Sequence, residues 1–202
     1  MPRPRSLNLS QIAAAALGVV DSDGLAALSM RTVARRLGIG TMSLYRYVAD
    51  REELEAMVVD LVLEKVDLRV PEGSARQRVS MLAERVREAT ARHPAAVPLV
   101  LAHRHRTPAS MRWGEAMLAV LAGAGFAEAR RVYAFRALLA YIFGALEVEH
   151  YSALSGPGTH ALAELPAEDF PVLSETAAVA REITADDEFR QGLQIVLRGL
   201  EL

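Results

Sequence analysis

Cysteine is absent from these 202 residues, which excludes disulfides and thiolate metal sites and makes a reducing cytoplasm the simplest home. Lysine and asparagine are almost absent: Lys65 and Asn8 stand alone, and every other basic residue is arginine. That bias reads as the coding habit of a GC-rich genome, without mechanistic weight. Aromatics make up only 5% of the chain, while alanine and leucine abound, a balance that favours helix packing over sheets. No charge-free apolar run is long enough to cross a bilayer. The N-terminal stretch, basic and then briefly apolar, imitates a signal peptide. Asn8 and Gln11 instead form a capping-box pair, and Ile12, Ala15, Ala16 and Val19 follow helical spacing. There is no phosphate-binding glycine loop, and the histidines lack a carboxylate partner at ligand or catalytic spacing. The chain therefore carries no signature of an enzyme, and neither a metal nor a cofactor is expected.

What is present begins with apolar residues, 51% of the total, enough for one medium domain or two small ones. The net charge of −2 is unevenly spread. Residues 1–50 hold six arginines against three aspartates, whereas residues 51–202 hold 17 basic and 22 acidic groups. A small basic head on an acidic body fits a protein that meets DNA at one end only.

The segment from Ser29 to Glu53 is the most informative. Ser29 is a helix-start signal, and Val33, Ala34 and Leu37 share a face. Gly38 can turn the chain at little steric cost. A second helix is predicted from about Thr41 to Val48, with Leu44 and Val48, four apart, facing inward. Thr41, Met42, Tyr45 and Arg46 then point outward. Hydroxyls, an aromatic ring and an arginine on so short a helix suit the major groove, where arginine reaches guanine edges and the others meet phosphates or thymine methyls. This is a helix-turn-helix pattern. Tyr47, three residues after Leu44, fits packing or phosphate contact equally. Arg3 and Arg5 could enter a minor groove as an arm or lie in a disordered terminus.

The rest reads as helix as well, giving an all-α chain of about nine or ten helices. The first runs from about Leu9 to Val20. Asp50 and Glu53 open another through Leu54, Met57, Val58, Leu61 and Val62 to about Val66. Pro71-Glu72-Gly73 marks a joint. Helices follow over about Ala75–Ala91, from Pro108 to Gly123, and over roughly Glu128–Tyr151, the longest. The proline- and glycine-rich residues 153–171 are expected to form a mobile loop, before helices near Val172–Glu182 and Asp186–Leu200.

The run Leu28-Ser29-Met30-Arg31-Thr32-Val33-Ala34, then Leu37-Gly38-Ile39, Leu44-Tyr45-Arg46-Tyr47-Val48 and Glu53-Leu54, resembles the DNA-binding head of the tetracycline-repressor (TetR) family of bacterial transcriptional regulators. Further along, His103-Arg104-His105-Arg106-Thr107-Pro108, Gly125-Phe126, Phe143-Gly144-Ala145 and the ending Phe189-Arg190-Gln191-Gly192-Leu193 are similar to the drug-binding domain of the tetracycline repressors. The resemblance implies a three-helix head over 1–50 and a larger effector-binding and dimerisation domain over 51–202, with 51–66 as the connecting helix. It implies that Arg31 reaches a base or phosphate and that Thr41, Met42 and Ser43 start the groove-facing surface. Tyr45 and Tyr47 would hold phosphates, Arg46 would lie over the groove, and Arg51 would anchor the DNA backbone beyond. Gly40 stands where the family often has Ser or Thr, so Thr41 is expected to supply the hydroxyl cap.

A histidine-arginine cluster is by itself more often a solvated turn than a ligand site, but its place in the resemblance makes His103 a candidate for lining a pocket. Arg106, Trp113, Met117, Phe135, Leu139 and Phe143 are the other candidates for an effector cavity, although the apolar ones are core by default. The resemblance places a histidine of the tetracycline site on the 51–66 helix and an asparagine on the following helix. This chain has no histidine before His93 and no asparagine after Asn8, so an effector other than tetracycline is expected. Phe189, Leu193, Val196, Leu197 and Leu200 form one stripe, and Val132, Phe135, Leu138, Leu139 and Ile142 another. Together they predict a homodimer through a four-helix bundle, reading a palindromic operator as a repressor released by a small molecule. A helical adaptor for protein contacts, or an α-helical enzyme, are the alternatives from other classes.

Overall fold

The computed structural model describes residues 7–202, and eleven α-helices but no strand occur among them. Arg3 and Arg5, the possible arm, lie outside the described residues. The helices are α1 (Leu9–Asp23), α2 (Met30–Arg36), α3 (Thr41–Leu44), α4 (Arg51–Glu64), α5 (Ala75–Ala91), α6 (Val97–His103), α7 (Pro108–Gly123), α8 (Glu128–Ser152), α9 (Pro157–Ala163), α10 (Pro171–Ala180) and α11 (Ala185–Gly199). Two 3-10 turns, Leu25–Ala27 and Pro94–Ala96, precede α2 and α6.

The chain forms two compact units. The first holds the described residues up to Arg69 together with Arg85–Ala116. Its centre is α4, which packs on both α1 and α6. Leu54, Val58, Val59, Val62 and Leu63 are buried from α4, and Ile12, Ala16, Val19 and Val20 from α1. The capping box of α1 is formed: the Asn8 Oδ1 accepts from Gln11 N at 2.8 Å, and the Gln11 Oε1 accepts from Asn8 N at 3.1 Å. The helix outruns its expected end by three residues, to Asp23, where Gly24 turns the chain with φ +81°. Beyond α4, Arg85 donates to the carbonyls of Asp67 and Arg69 at 2.6 and 2.8 Å. Hydrogen bonds from the Arg69 side chain and backbone hold the Asp67 carboxyl down at about 2.

The second unit holds Val70–Glu84 and Met117–Leu202. Here α11 packs on α8, and the Tyr141 hydroxyl donates to the Phe189 carbonyl at 2.7 Å, with the two rings 5.8 Å apart. Gly192 is required there, because a Cβ would collide with the Tyr141 hydroxyl. Arg76 donates to the Leu202 carbonyl at 2.6 Å, tying α5 to the end of α11. The long helix runs to Ser152, 25 residues or roughly 37 Å.

Two expectations are corrected. The proline- and glycine-rich stretch is not a plain loop: Pro157 sits at the start of α9, where a residue without an N–H costs nothing. The count of helices rises accordingly, α6 also counting as a helix in its own right. The α11 stripe is covered in part by its own chain, while Val196 and Leu200 stay half-buried. Phe189, Leu193 and Leu197 are buried within the single chain, as are Leu138 and Ile142 of α8. The apolar residues left exposed on these helices are Val132, Tyr133, Val148 and Tyr151 of α8 and Ile195 of α11.

The Ser29 cap is a local element of stability that can be tested alone. Ser29 Oγ accepts from Thr32 N at 3.1 Å, and Thr32 Oγ1 accepts from Ser29 N at 3.0 Å. Ser29→Ala should destabilise the unit containing α2 by about 1 kcal/mol, seen as a lower unfolding temperature by calorimetry.

Candidate nucleic-acid interface

The helix-turn-helix is built by α2, a glycine turn and α3. Val33 and Ala34 are buried, and α2 ends in a pair of reversed hydrogen bonds: Gly38 N donates to Arg35 O at 3.1 Å and Ile39 N to Ala34 O at 3.0 Å. This closure needs a left-handed residue at the turn, and Gly38 has φ +69°. Arg36, on the same helix, donates to Ser22 Oγ of α1 at 3.0 Å. Its guanidinium lies over Gly18, where a Cβ would come within 2.9 Å of it, so the glycine leaves room for the arginine side chain.

The regular part of α3 spans only Thr41–Leu44, half the expected length. Tyr47 N and Val48 N both donate to Leu44 O, at 2.9 and 3.2 Å, so the backbone closes as a turn rather than adding a second helical turn. Leu44 and Val48 are nevertheless both fully buried, and the segment is fastened as the spacing predicts. Gly40 is the cap residue, and no side chain caps α3; Thr41 does not take that role. The backbone alone starts the helix, with Ser43 N donating to Gly40 O at 2.9 Å.

The outer surface carries the predicted residues. Met42 is 78% exposed, Tyr45 48% and Tyr47 38%; Arg46 and Arg31 are exposed, and Thr41 and Ser43 half-buried. An arginine, two phenol hydroxyls and a thioether on one face offer a cation and donors for phosphate, hydrogen-bonding reach to base edges and an apolar contact for thymine methyls. The exposure of Tyr47 leaves its hydroxyl available for the phosphate role. Arg51 is already engaged: its Nε donates to Glu55 Oε1 at 2.7 Å.

Glu55 is the residue that sequence reasoning misses. Its other oxygen, Oε2, lies 3.0 Å from His103 Nε2, so one carboxylate joins Arg51 to α6. The Arg51–Glu55 spacing of four is legible as a helix pair. The link to His103, 48 residues away, is not. His103 is 6% exposed, and its Nδ1 is buried with no hydrogen-bond partner among the described residues. A carboxylate oxygen accepts, so Nε2 donates to Glu55 and Nδ1 is left for a polar atom of a ligand. Two further ties run in parallel: Arg106 pairs with Glu52, and Ala109 N donates to Asp60 Oδ1 at 2.7 Å.

Of the other effector candidates, Arg106 is exposed and Trp113 buried in the first unit. Met117 and Phe143 are buried and Phe135 and Leu139 half-buried in the second. No group of His, Asp or Glu suited to a metal ion occurs among the described residues.

Comparison with known proteins extends these observations. The family described as "Tetracyclin repressor-like, C-terminal domain" matches residues 69–202. The chain is 30% identical over 219 aligned residues to the HTH-type transcriptional repressor DrrR1 of Streptomyces coeruleorubidus, covering all of this chain and 79% of that protein. It is 26% identical to the class E tetracycline repressor protein of Escherichia coli, over 96% of this chain and 90% of the repressor. Among solved structures it is similar to the Streptomyces coelicolor TetR family protein ActR in complex with (S)-DNPA. That match has a TM-score of 0.85 and 28% identity, and covers 98% of each chain.

The exposed face makes a direct prediction. Arg46→Ala and Tyr45→Phe should weaken binding to duplex DNA without lowering the unfolding temperature, since neither side chain is buried. For Arg46→Ala, the slope of log affinity against log salt should fall by about one, measured by fluorescence anisotropy across a salt series.

Proposed function

This chain belongs to the tetracycline-repressor (TetR) family, and on that premise we propose that it is a ligand-responsive repressor which leaves a palindromic operator when a small molecule binds. The observation that carries the proposal is the chain of contacts Arg51–Glu55–His103. It joins a candidate DNA-backbone anchor at the start of α4 to a buried histidine on α6 whose second ring nitrogen has no partner among the described residues. An effector that hydrogen-bonds to Nδ1 acts on the residue that holds Glu55, and Glu55 holds Arg51. A coupling of only about 1–3 kcal/mol along such a path changes operator affinity roughly 5- to 150-fold.

The division of labour falls at residue 50: residues 1–50 read DNA through Arg31, Thr41, Met42, Ser43, Tyr45, Arg46 and Tyr47, with Arg51 just beyond. Residues 51–202 bind the effector and a second copy, with α4 as the connecting helix. Among the candidates of the first unit, His103 and Arg106 offer an effector polar contacts and Trp113 an apolar one; Met117, Phe135, Leu139 and Phe143 are the apolar candidates of the second. That ActR is solved in complex with (S)-DNPA and with actinorhodin supports a small-molecule effector here. Tetracycline itself is disfavoured, because the histidine and asparagine that the resemblance implies for its site are missing. The exposed apolar residues of α8 and α11, Val132, Tyr133, Val148, Tyr151 and Ile195, support a homodimer. Two heads related by a two-fold axis read half-sites whose centres are about 34 Å, or a multiple, apart. A repressor works where the chromosome lies, in the cytoplasm; no helix among the described residues is long and apolar enough to cross a membrane.

Selection from a random duplex pool should enrich an inverted repeat with that spacing; enrichment of single, non-repeated sites would overturn the dimeric reading. For any compound that releases the wild-type protein from this repeat, His103→Ala should weaken the release about tenfold or more while operator affinity stays within a few-fold. Tetracycline with magnesium should release neither protein.

A further inference from the structure

A cavity of about 260 Å³ that His103 does not line lies within the first unit, where α1, α4 and the segment Arg106–Pro108 meet. Leu9 and Ala13 of α1 and Met57 and Leu61 of α4 give it an apolar lining. Glu53, Asp60 and Glu64 enter from α4, on the stripe that carries Met57 and Leu61. Among the described residues Arg106 is the one cation at its edge, and its charge is matched by Glu52. Glu53 Oε2 accepts from Ala49 N at 2.6 Å and Asp60 Oδ1 from Ala109 N at 2.7 Å, which leaves the second oxygen of each carboxylate for another donor. Glu64 is exposed and pairs with no cation among the described residues.

The spacing decides the kind of ligand. Glu53 and Asp60 are seven residues apart, roughly 10 Å along the helix, and Asp60 and Glu64 roughly 6 Å. Glu53 is too far from Asp60 to share one small ion with it, and no group of three side chains suited to a metal ion occurs among the described residues. The carboxylates surround instead a body of several atoms resting on the apolar lining, with a charged end that donates hydrogen bonds. We propose that this cavity is a second ligand site, for a small primary ammonium compound with an apolar body, distinct from the effector site at His103. Its walls are the first helix of the head, the connecting helix and the start of α7, so an occupant stabilises one placement of α4 against α1. Occupancy is therefore expected to change operator affinity by itself, in either direction, independently of the reading of His103.

The full-length protein can be tested with 2-phenylethylammonium and, as a neutral match of the same size, 2-phenylethanol. With ¹³C-methyl methionine labelling, the ammonium should shift the Met57 signal saturably while leaving Met117 unmoved, and the alcohol should bind at least about tenfold more weakly. Glu64→Gln should weaken the ammonium about three- to tenfold, and Ser10→Trp, which fills the cavity from an exposed position on α1, should abolish the Met57 shift. Calorimetric unfolding of both variants keeps a folding defect separate from a binding defect. Equal binding of the two compounds, no saturable shift at Met57, or an unchanged affinity in folded Ser10→Trp would each overturn the proposal. An altered His103→Ala response bears only on the effector reading, because His103 does not line this cavity.

Discussion

Burial of α4 against both α1 and α6 is the constraint on which the first unit depends. Five of its fourteen residues are buried, Leu54, Val58, Val59, Val62 and Leu63, and they spread over more than one stripe, as a helix with two neighbours requires. Apolar burial alone would let such a helix slide, since hydrophobic contact has little directional preference. Polar contacts near its solvent edges hold the register: Glu55 with His103, Asp60 with the amide of Ala109, and Glu52 with Arg106. All three tie α4 to the end of α6 or to the start of α7. A helix held in this way is fixed in register by directional contacts as well as by burial.

The same economy is visible in the head. A helix of four residues has almost no stability of its own, because nucleation fixes several dihedrals for few hydrogen bonds. What holds the segment is the burial of Leu44 and Val48 and the closed glycine turn before it. Since those two residues do the fastening, Met42, Tyr45, Arg46 and Tyr47 remain outside the core. A surface so rich in aromatic and apolar area would be unusual on an inert helix, and on a groove-reading one it is functional.

Local features are legible in the sequence because they depend on near neighbours. Asn8 with Gln11, Ser29 as a cap, Gly38 as a left-handed turn and Leu44 with Val48 are each decided within a few residues, and the fold contains all four. The departures have equally local causes. Prolines make residues 153–171 look like a loop, although proline suits the first turn of a helix just as well. Apolar spacing extends the second helix of the motif to Val48, but spacing marks which side chains face inward and not which backbone bonds form.

Thus the order of elements, the all-helical class and the exposed reading face were determined by the sequence itself, through caps, turns and apolar spacing. Tertiary structure decided the rest: that Glu55 is shared by Arg51 and His103, that Gly18 makes room for Arg36, and that Phe189, Leu193 and Leu197 of the α11 stripe are buried by their own chain. Each of these joins residues far apart in the chain. A carboxylate four places after an arginine looks the same in sequence whether or not a histidine approaches from another helix. Periodicity tells that a face will be covered; only packing tells what covers it.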